Sequence, residues 1–320
     1  MIALADADLG AIGERRLVWV DIDLDAGGTL DAVVGPLDLD EQDRRHVESD
    51  TSTARFIQSV ARLHLTMEAL EPTDPDAGAG APGGELAPGG ELVRREVDLL
   101  AAPNLVVTVH RGRIGALERF EEGLTGETSL GVLNAADLLS SLVDELITGY
   151  YGLAEAIERE IDDLDQTALR GRKDHDVLAE IVAIRRRVGS IRRTLTPHRS
   201  ALAALARPET RADEASVGQP WPGLVDRLEG ALAAIEALRD ALLGTYDIHM
   251  GRSAQRANDV MKALTLLSAL LLPAVVLAGI MGMNFEVPFF DEPGNFYTVV
   301  GAMAAFVLVL LGFAKWRDWL

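Results

Sequence analysis

The spacing of apolar and polar residues changes character twice along the chain. In the first third it has the period of strands. Leu17-Val18-Trp19-Val20-Asp21-Ile22-Asp23 alternates and is rich in β-branched residues. Leu63 to Leu70, Glu96 to Leu100 and Leu105 to His110 read as further strands. Glu41 to Ser49, with Asp40 as a possible N-cap, and Ser52 to Arg62 read as short helices. These elements predict an α/β domain over residues 1–125. A Gly/Pro-rich tract at 76–92 interrupts it, in which Ala81-Pro-Gly-Gly-Glu-Leu86 repeats directly as Ala87 to Leu92. Such sequence has nothing to bury and predicts a flexible loop.

From Leu133 the period becomes helical. Ala135 to Leu169 carries Glu155, Glu158, Glu160, Asp162, Asp163 and Asp165; Val177 to Leu205 carries Arg185-Arg186-Arg187 and Arg192-Arg193. An acidic helix followed by a basic one predicts an antiparallel hairpin over 126–219, its charges either facing each other or solvated. A third helical stretch starts near Pro220–Pro222 and meets no forced stop before Gly279. If continuous, its roughly 58 residues would run about 85 Å. Its polar part, 220–262, reads as a stalk. Then come two uncharged runs of 19 residues, Ala263 to Met281 and Phe296 to Ala314, each long enough for a hydrocarbon core of about 30 Å. They predict a first span at 263–284, an external loop at 285–295, and a second span with its tail at 296–320. Pro273 should kink the first span.

Charge fixes the orientation. Arg252, Arg256 and Lys262 precede the first span, Lys315 and Arg317 follow the second, and Gly282 to Asn295 has neither Lys nor Arg. Both termini are therefore expected in the cytoplasm, in a multi-pass protein of the cell inner (plasma) membrane. Met1 to Asp6 has an early acid and no basic region, unlike a signal peptide. The net charge is −20, nearly all of it before the first span. That argues against a nucleic-acid partner and suits either cation attraction or plain solubility. With no cysteine, disulfides and thiolate metal sites are excluded. The six histidines (His46, His64, His110, His175, His198, His249) show no ligand spacing. No G-x-S-x-G, HExxH, P-loop or kinase signature occurs, so no enzyme is expected; a membrane-anchored signalling protein is the rival from another class.

Asn258-Asp-Val-Met261-Lys262-Ala-Leu264-Thr265, then Pro273, then Ala278-Gly-Ile-Met281-Gly282-Met283-Asn284-Phe-Glu286 resembles the CorA-type, two-span, Gly-Met-Asn divalent metal cation transporters. Trp19-Val-Asp-Ile22, Val107-Thr-Val-His110 and Ile184-Arg-Arg to Leu195-Thr-Pro-His-Arg199 extend the likeness upstream. The resemblance implies an α+β membrane protein: an N-terminal α/β cytoplasmic domain, a long helical stalk and two C-terminal transmembrane helices, in a funnel-shaped homopentamer whose first spans line the pore. There are departures. Met281 stands where a tyrosine is common, and the outer loop Glu286 to Gly294 lacks the usual Met-Pro-Glu-Leu. Gly223 stands where a familiar regulatory aspartate is expected.

The implied function is channel-like magnesium uptake driven by the membrane potential. Selectivity would lie at a Gly282-Met283-Asn284 ring, and cytoplasmic divalent cation would gate it. Magnesium holds its waters tightly and prefers oxygen ligands; five Asn284 amides could bind it still hydrated, whereas carboxylates would risk trapping it. Alternatively, Asn284 simply caps the span. Gly282 would let the helix end and turn carbonyls to the axis. The resemblance places the pore lining on Asn258, Met261, Leu264, Ser268, Leu272, Val275 and Gly279, a stripe at three and four spacing that would otherwise be a packing seam. Met261, Leu264, Leu272 and Val275 would form collars that close by dewetting. Glu286, Asp291 and Glu292 would ring the external mouth or merely solubilise the loop. Asp247 matches an acidic ring of the family, and with Asp226 is the expected regulatory metal site. No resident cofactor is implied; Mg2+ is cargo and regulator, with Co2+, Ni2+ or Zn2+ as alternatives. A zinc transporter of the ZntB type is the near rival, against which Met283, Tyr246 and Asn258 to Lys262 weigh. Expected partners are membrane lipid, divalent metal ions and identical chains.

Overall fold

A computed structural model describes residues 17–49, 53–59, 62–73, 90–124, 134–169, 174–207, 221–283 and 293–317. They divide into two units, one ending at Tyr246 and one beginning at Asp247. The expected Gly/Pro loop, Asn284 and the outer-loop acids lie outside the described residues, except that Leu92 already belongs to a strand.

The first unit is built on a five-stranded sheet: β1 (Val18–Asp23), β2 (Arg55–Gln58), β3 (Leu63–Pro72), β4 (Leu92–Ala102) and β5 (Leu105–His110), in the order β1-β5-β4-β3-β2. β1 runs parallel to β5, and the other pairs are antiparallel. β4 extends further at both ends than its apolar centre suggests, because it pairs with β3 from Leu92 to Ala101. Val20, Ile22, Leu100, Val107 and Val109 on one face pack with Leu30, Val33, Leu37 and Val47 from α1 (Asp31–Val34) and α2 (Glu41–Val47). Leu65, Met67, Val97, Leu99 and Val106 point the other way, into a larger core shared with α3 (Gly115–Leu124), α4 (Ala135–Leu169), α5 (Asp174–Leu195), α6 (His198–Leu205) and the start of α7 (Trp221–Met281). Covering both faces buries β3 and β5 almost throughout, although β3 alternates apolar residues with the buried His64, Thr66 and Glu68.

Two expectations are corrected. The stretch read as a helix over Ser52 to Arg62 contains β2 instead. Arg55 to Gln58 pairs with Leu63 to Thr66, and a four-residue edge strand is too short for its period to be distinguished from a helical turn. The basic helix is broken at Thr196-Pro197 into α5 and α6; proline lacks the N–H that a continuing helix needs and disfavours helical geometry in the residue before it. One largely buried pair faces across the hairpin, the Arg187 guanidinium against both Glu160 oxygens (2.7 Å for Nη1 to Oε1). Arg185, Arg186, Arg192 and Arg193 are exposed.

The turn after β5 requires a left-handed residue. Gly112 has φ +67°; its N–H donates to Asp23 Oδ1 at 2.9 Å and its carbonyl accepts from His110 Nδ1 at 2.7 Å. A Cβ there would also lie 2.5 Å from Arg95 Nη1. Gly112→Ala is expected to cost about 1–2 kcal/mol through the backbone alone, read as a lowered denaturation midpoint of the full chain in detergent.

Candidate ion pathway

α7 and α8 (Pro293–Trp316) are both long and apolar enough to cross a membrane. The ends of α8 carry the expected interfacial residues: Phe296 and Tyr297 at one end, Phe313, Trp316 and Arg317 at the other, with the Arg317 guanidinium 6.0 Å from the Phe313 ring centre. Tyr297 to Trp316 is about 29 Å of helix, close to a hydrocarbon core.

Within this second unit each helix has one half-buried stripe. On α7 it is Leu266, Leu270, Pro273 and Ala274; on α8 it is Val299, Met303, Val307, Leu310 and the fully buried Ala314. Residues two apart on a helix point about 200° apart. Ser268 and Leu272 therefore face away from Leu270, and the expected stripe lies roughly opposite the side of α7 turned to α8. Its members are exposed along the whole helix: Asn258, Met261 (65%), Leu264 (63%), Ser268, Leu272 (68%), Val275 (67%) and Gly279. Beside Asn258, Asp259 is held by Lys262 Nζ at 3.2 Å and Gln255 Nε2 at 3.1 Å. α7 remains helical through Pro273.

At the outer end, the Gly282 N–H reaches the Ala278 carbonyl at 3.0 Å and the Met283 N–H reaches that of Ile280 at 3.2 Å. The φ of Gly282 lies outside the left-handed region, and a Cβ there would meet the Ala278 and Gly279 oxygens at 3.4 and 3.6 Å. Asn284, Glu286, Asp291 and Glu292 lie outside the described residues.

Asp226 and Asp247 are exposed on α7, 21 residues apart in the chain. Among the described residues no three His, Asp or Glu converge on a metal-sized site. Asp226, Asp240 and Asp247 do fall on one line at multiples of seven residues, so copies packed along that line would bring like carboxylates together.

The described histidines of the first unit are engaged in the fold. His64 Nε2 lies 2.6 Å from Asp98 Oδ1, and the Thr66 hydroxyl donates to the same oxygen at 2.7 Å. His110 sits between Asp21 Oδ2 (3.2 Å) and the Gly112 carbonyl. Burial works against its charge, but the Asp21 carboxylate outweighs it and the pKa is raised. His198 is fully buried, and burial lowers its pKa to about 4. Its unprotonated Nε2 accepts the Glu68 N–H at 2.9 Å.

The contacts that fasten the start of α7 to α4 and α6 are not among the features singled out from the sequence. Asp144, Thr148 and Tyr151 follow one another on one face of α4. Arg227 of α7 reaches across, Nε to Asp144 Oδ1 at 2.6 Å and Nη2 to Thr148 Oγ1 at 2.9 Å. Tyr151 reaches the other way, its hydroxyl donating to the Arg227 carbonyl at 2.9 Å. That hydroxyl fits only because residue 230 is glycine: a Cβ on Gly230 would overlap it, yet lie 3.6 Å from Tyr151 Cζ. On the other flank Arg199 of α6 grips Glu229 with two hydrogen bonds, one of 2.6 Å. The adjacent tyrosines Tyr150 and Tyr151 in a helical pattern were the available signal, since two aromatics 100° apart cannot both face one core.

Known proteins resemble the chain in sequence and in fold. The chain is 26% identical over 232 residues to the cobalt/magnesium transport protein CorA of Thermotoga maritima, covering 72% of this chain and 66% of that protein. Its fold superposes on the complete structure of the CorA magnesium transporter from Methanocaldococcus jannaschii with a TM-score of 0.75 and 18% identity, over 98% of this chain and 95% of that one. The structure of the full-length CmaX protein gives a TM-score of 0.67 at 19% identity, over 97% and 92%. The family model described as CorA-like Mg2+ transporter protein matches residues 14–315, and the chain belongs to that family.

Proposed function

We propose that the chain is a channel-like divalent cation transporter with Mg2+ as its principal cargo, assembled as a homopentamer with both termini in the cytoplasm. The observation that carries this reading is the exposed stripe from Asn258 to Gly279 on the side of α7 turned away from α8, in a chain of the CorA-like family. Five copies placing that stripe on a shared axis would enclose a path of alternating amide, apolar and hydroxyl rings. It would lead to Gly282, Met283 and Asn284. Small apolar collars close such a path by dewetting and reopen with slight widening. Glu286, Asp291 and Glu292 would raise the cation concentration outside. Asp247 and Asp226, brought against neighbouring copies, would hold the assembly shut while cytoplasmic Mg2+ neutralises them.

No coupled energy source is required. A divalent ion gains about 4.6 kcal/mol from 100 mV, inside negative. The test is uptake into liposomes loaded with a Mg2+-sensitive dye, with a potassium gradient and valinomycin setting the potential. Uptake that rises with inside-negative potential is expected. No flux from a protein that is monomeric in detergent would overturn the reading. Competition among Mg2+, Co2+, Ni2+ and Zn2+ ranks the cargo, and Zn2+ flux without Mg2+ flux would move the chain to the ZntB type.

A further inference from the structure

We propose that the cavity between the end of β3, α3 and the middle of α4 binds a small apolar α-amino acid, Glu71 taking its ammonium group and Arg119 its carboxylate. The site lies wholly within the first unit and rests on no reading of the membrane segments. The cavity has a volume of about 210 Å³. That exceeds the room a single water needs, about 10–15 Å³, and falls below pockets for drug-sized ligands, about 300–1,000 Å³. Its walls are mostly apolar, with Leu70 and Pro72 from β3 and Leu146 and Leu153 from α4. Two charged groups on the wall have unused capacity. Glu71 Oε1 accepts the Gly115 N–H at 3.0 Å, and Arg119 Nε donates to Glu145 Oε1 at 2.9 Å. Among the described residues, Glu71 Oε2 and the two terminal nitrogens of Arg119 remain open. Oε2 and Nη1 lie 3.3 and 3.4 Å from the point that a Cβ on Gly115 would occupy, so an open acceptor and an open donor stand near each other. An ammonium only donates and a carboxylate only accepts; an α-amino acid carries the two on one carbon, in the order this pair requires. The Thr148 and Tyr151 hydroxyls, also on the wall, already donate to the Asp144 and Arg227 carbonyls. Glu155 adds a second carboxylate to the lining, and Glu145 offsets Arg119, so a carboxylate without an ammonium is disfavoured. Burial raises the Glu71 pKa against the pull of the Gly115 N–H and Arg119; an ammonium seated there supplies further counter-charge.

Equilibrium dialysis of radiolabelled L-leucine and L-valine against the full-length protein in detergent tests the site. Saturable binding is expected. Two competitors then read the two charged contacts separately. 4-Methylpentanoate keeps the leucine body and carboxylate but lacks the ammonium; isoamylamine keeps the body and ammonium but lacks the carboxylate. Each gives up a hydrogen bond between charged groups and should compete about tenfold or more weakly than leucine. Glu71→Gln keeps an oxygen for the Gly115 N–H and removes the charge, and Arg119→Lys keeps a cation for Glu145 but loses the planar fork. Each should weaken leucine binding about tenfold or more, with a denaturation midpoint in the absence of leucine close to that of the parent. The competition in the parent protein decides the matter even where a variant folds poorly. No saturable binding of either amino acid, or competition by 4-methylpentanoate or isoamylamine as strong as that by leucine, overturns the proposal. So does parent-like leucine binding in a stably folded Glu71→Gln protein.

Discussion

Replacing Asn284 by alanine will lower Mg2+ uptake about tenfold to a hundredfold without dispersing the assembly. Each amide oxygen in a ring of identical chains would accept a hydrogen bond from the water shell of a divalent ion. Losing a hydrogen bond that serves a charge costs about 1.5–3 kcal/mol, and each 1.4 kcal/mol is a factor of about ten. Asn284→Asp separates capture from release. Five carboxylates would bind the ion tightly enough to keep it, so uptake should fall while Mg2+ protects the assembly at lower concentration. Both variants are compared by dye uptake in liposomes, with assembly mass measured in detergent. Parent-like uptake and cation ranking in Asn284→Ala would confine that residue to capping the span.

The second large effect is acid sensitivity at His198. Its pKa is about 4 in the fold against 6.5 in the open chain. Above 6.5 neither state carries the proton and the full stabilisation is present. Between 6.5 and about 4 the unfolded chain is protonated and the fold is not, so stability drains away as the pH falls, by about 3 kcal/mol in total. Other groups titrate in the same window. Burial raises the pKa of both Glu68 and Glu71, which works in the opposite direction. The measurement is therefore the difference between the parent and His198→Gln, whose side-chain oxygen can accept the Glu68 N–H but cannot titrate. Chemical denaturation of the full chain in detergent should show the parent losing about 3 kcal/mol relative to that variant between pH 7 and pH 4. A difference that does not change with pH would mean that His198 is not the neutral acceptor described here.

Much of this molecule could be read from residue spacing, for a physical reason. Elements that bury a continuous apolar face carry their period openly: α4 covers Ala135 to Leu169 and β5 covers Leu105 to His110, as the pattern predicts. α7 was legible because nothing in its sequence forces a break. What spacing could not supply was anything decided by a distant partner. β2 is a strand because β3 offers it an edge; its four residues alone fit a helix as well. The break between α5 and α6 lies inside an apolar rhythm that continues on both sides, and only the backbone chemistry of Pro197 opposes it. The stripe on α7 could be named from the resemblance, but its exposure opposite α8 required both helices in place. The Tyr151–Gly230 contact joins residues 79 apart in the chain, and a lone glycine in a long helix gives no hint of the hydroxyl it admits.

The sheet has one further consequence, for crowding. β2 covers β3 only as far as Thr66, so on that side the Glu68 peptide has no strand neighbour, while β4 lies on the other. Two side chains close it, Tyr150 donating to the carbonyl at 2.5 Å and His198 accepting the amide proton. Open strand margins are where foreign chains attach and aggregation begins. In a ring of copies held side by side by their membrane segments, five such margins would sit at very high local concentration. Plugging each with an aromatic hydroxyl and a neutral imidazole leaves no free peptide at Glu68 for a neighbour to zip onto, which would steer such copies away from merging their sheets.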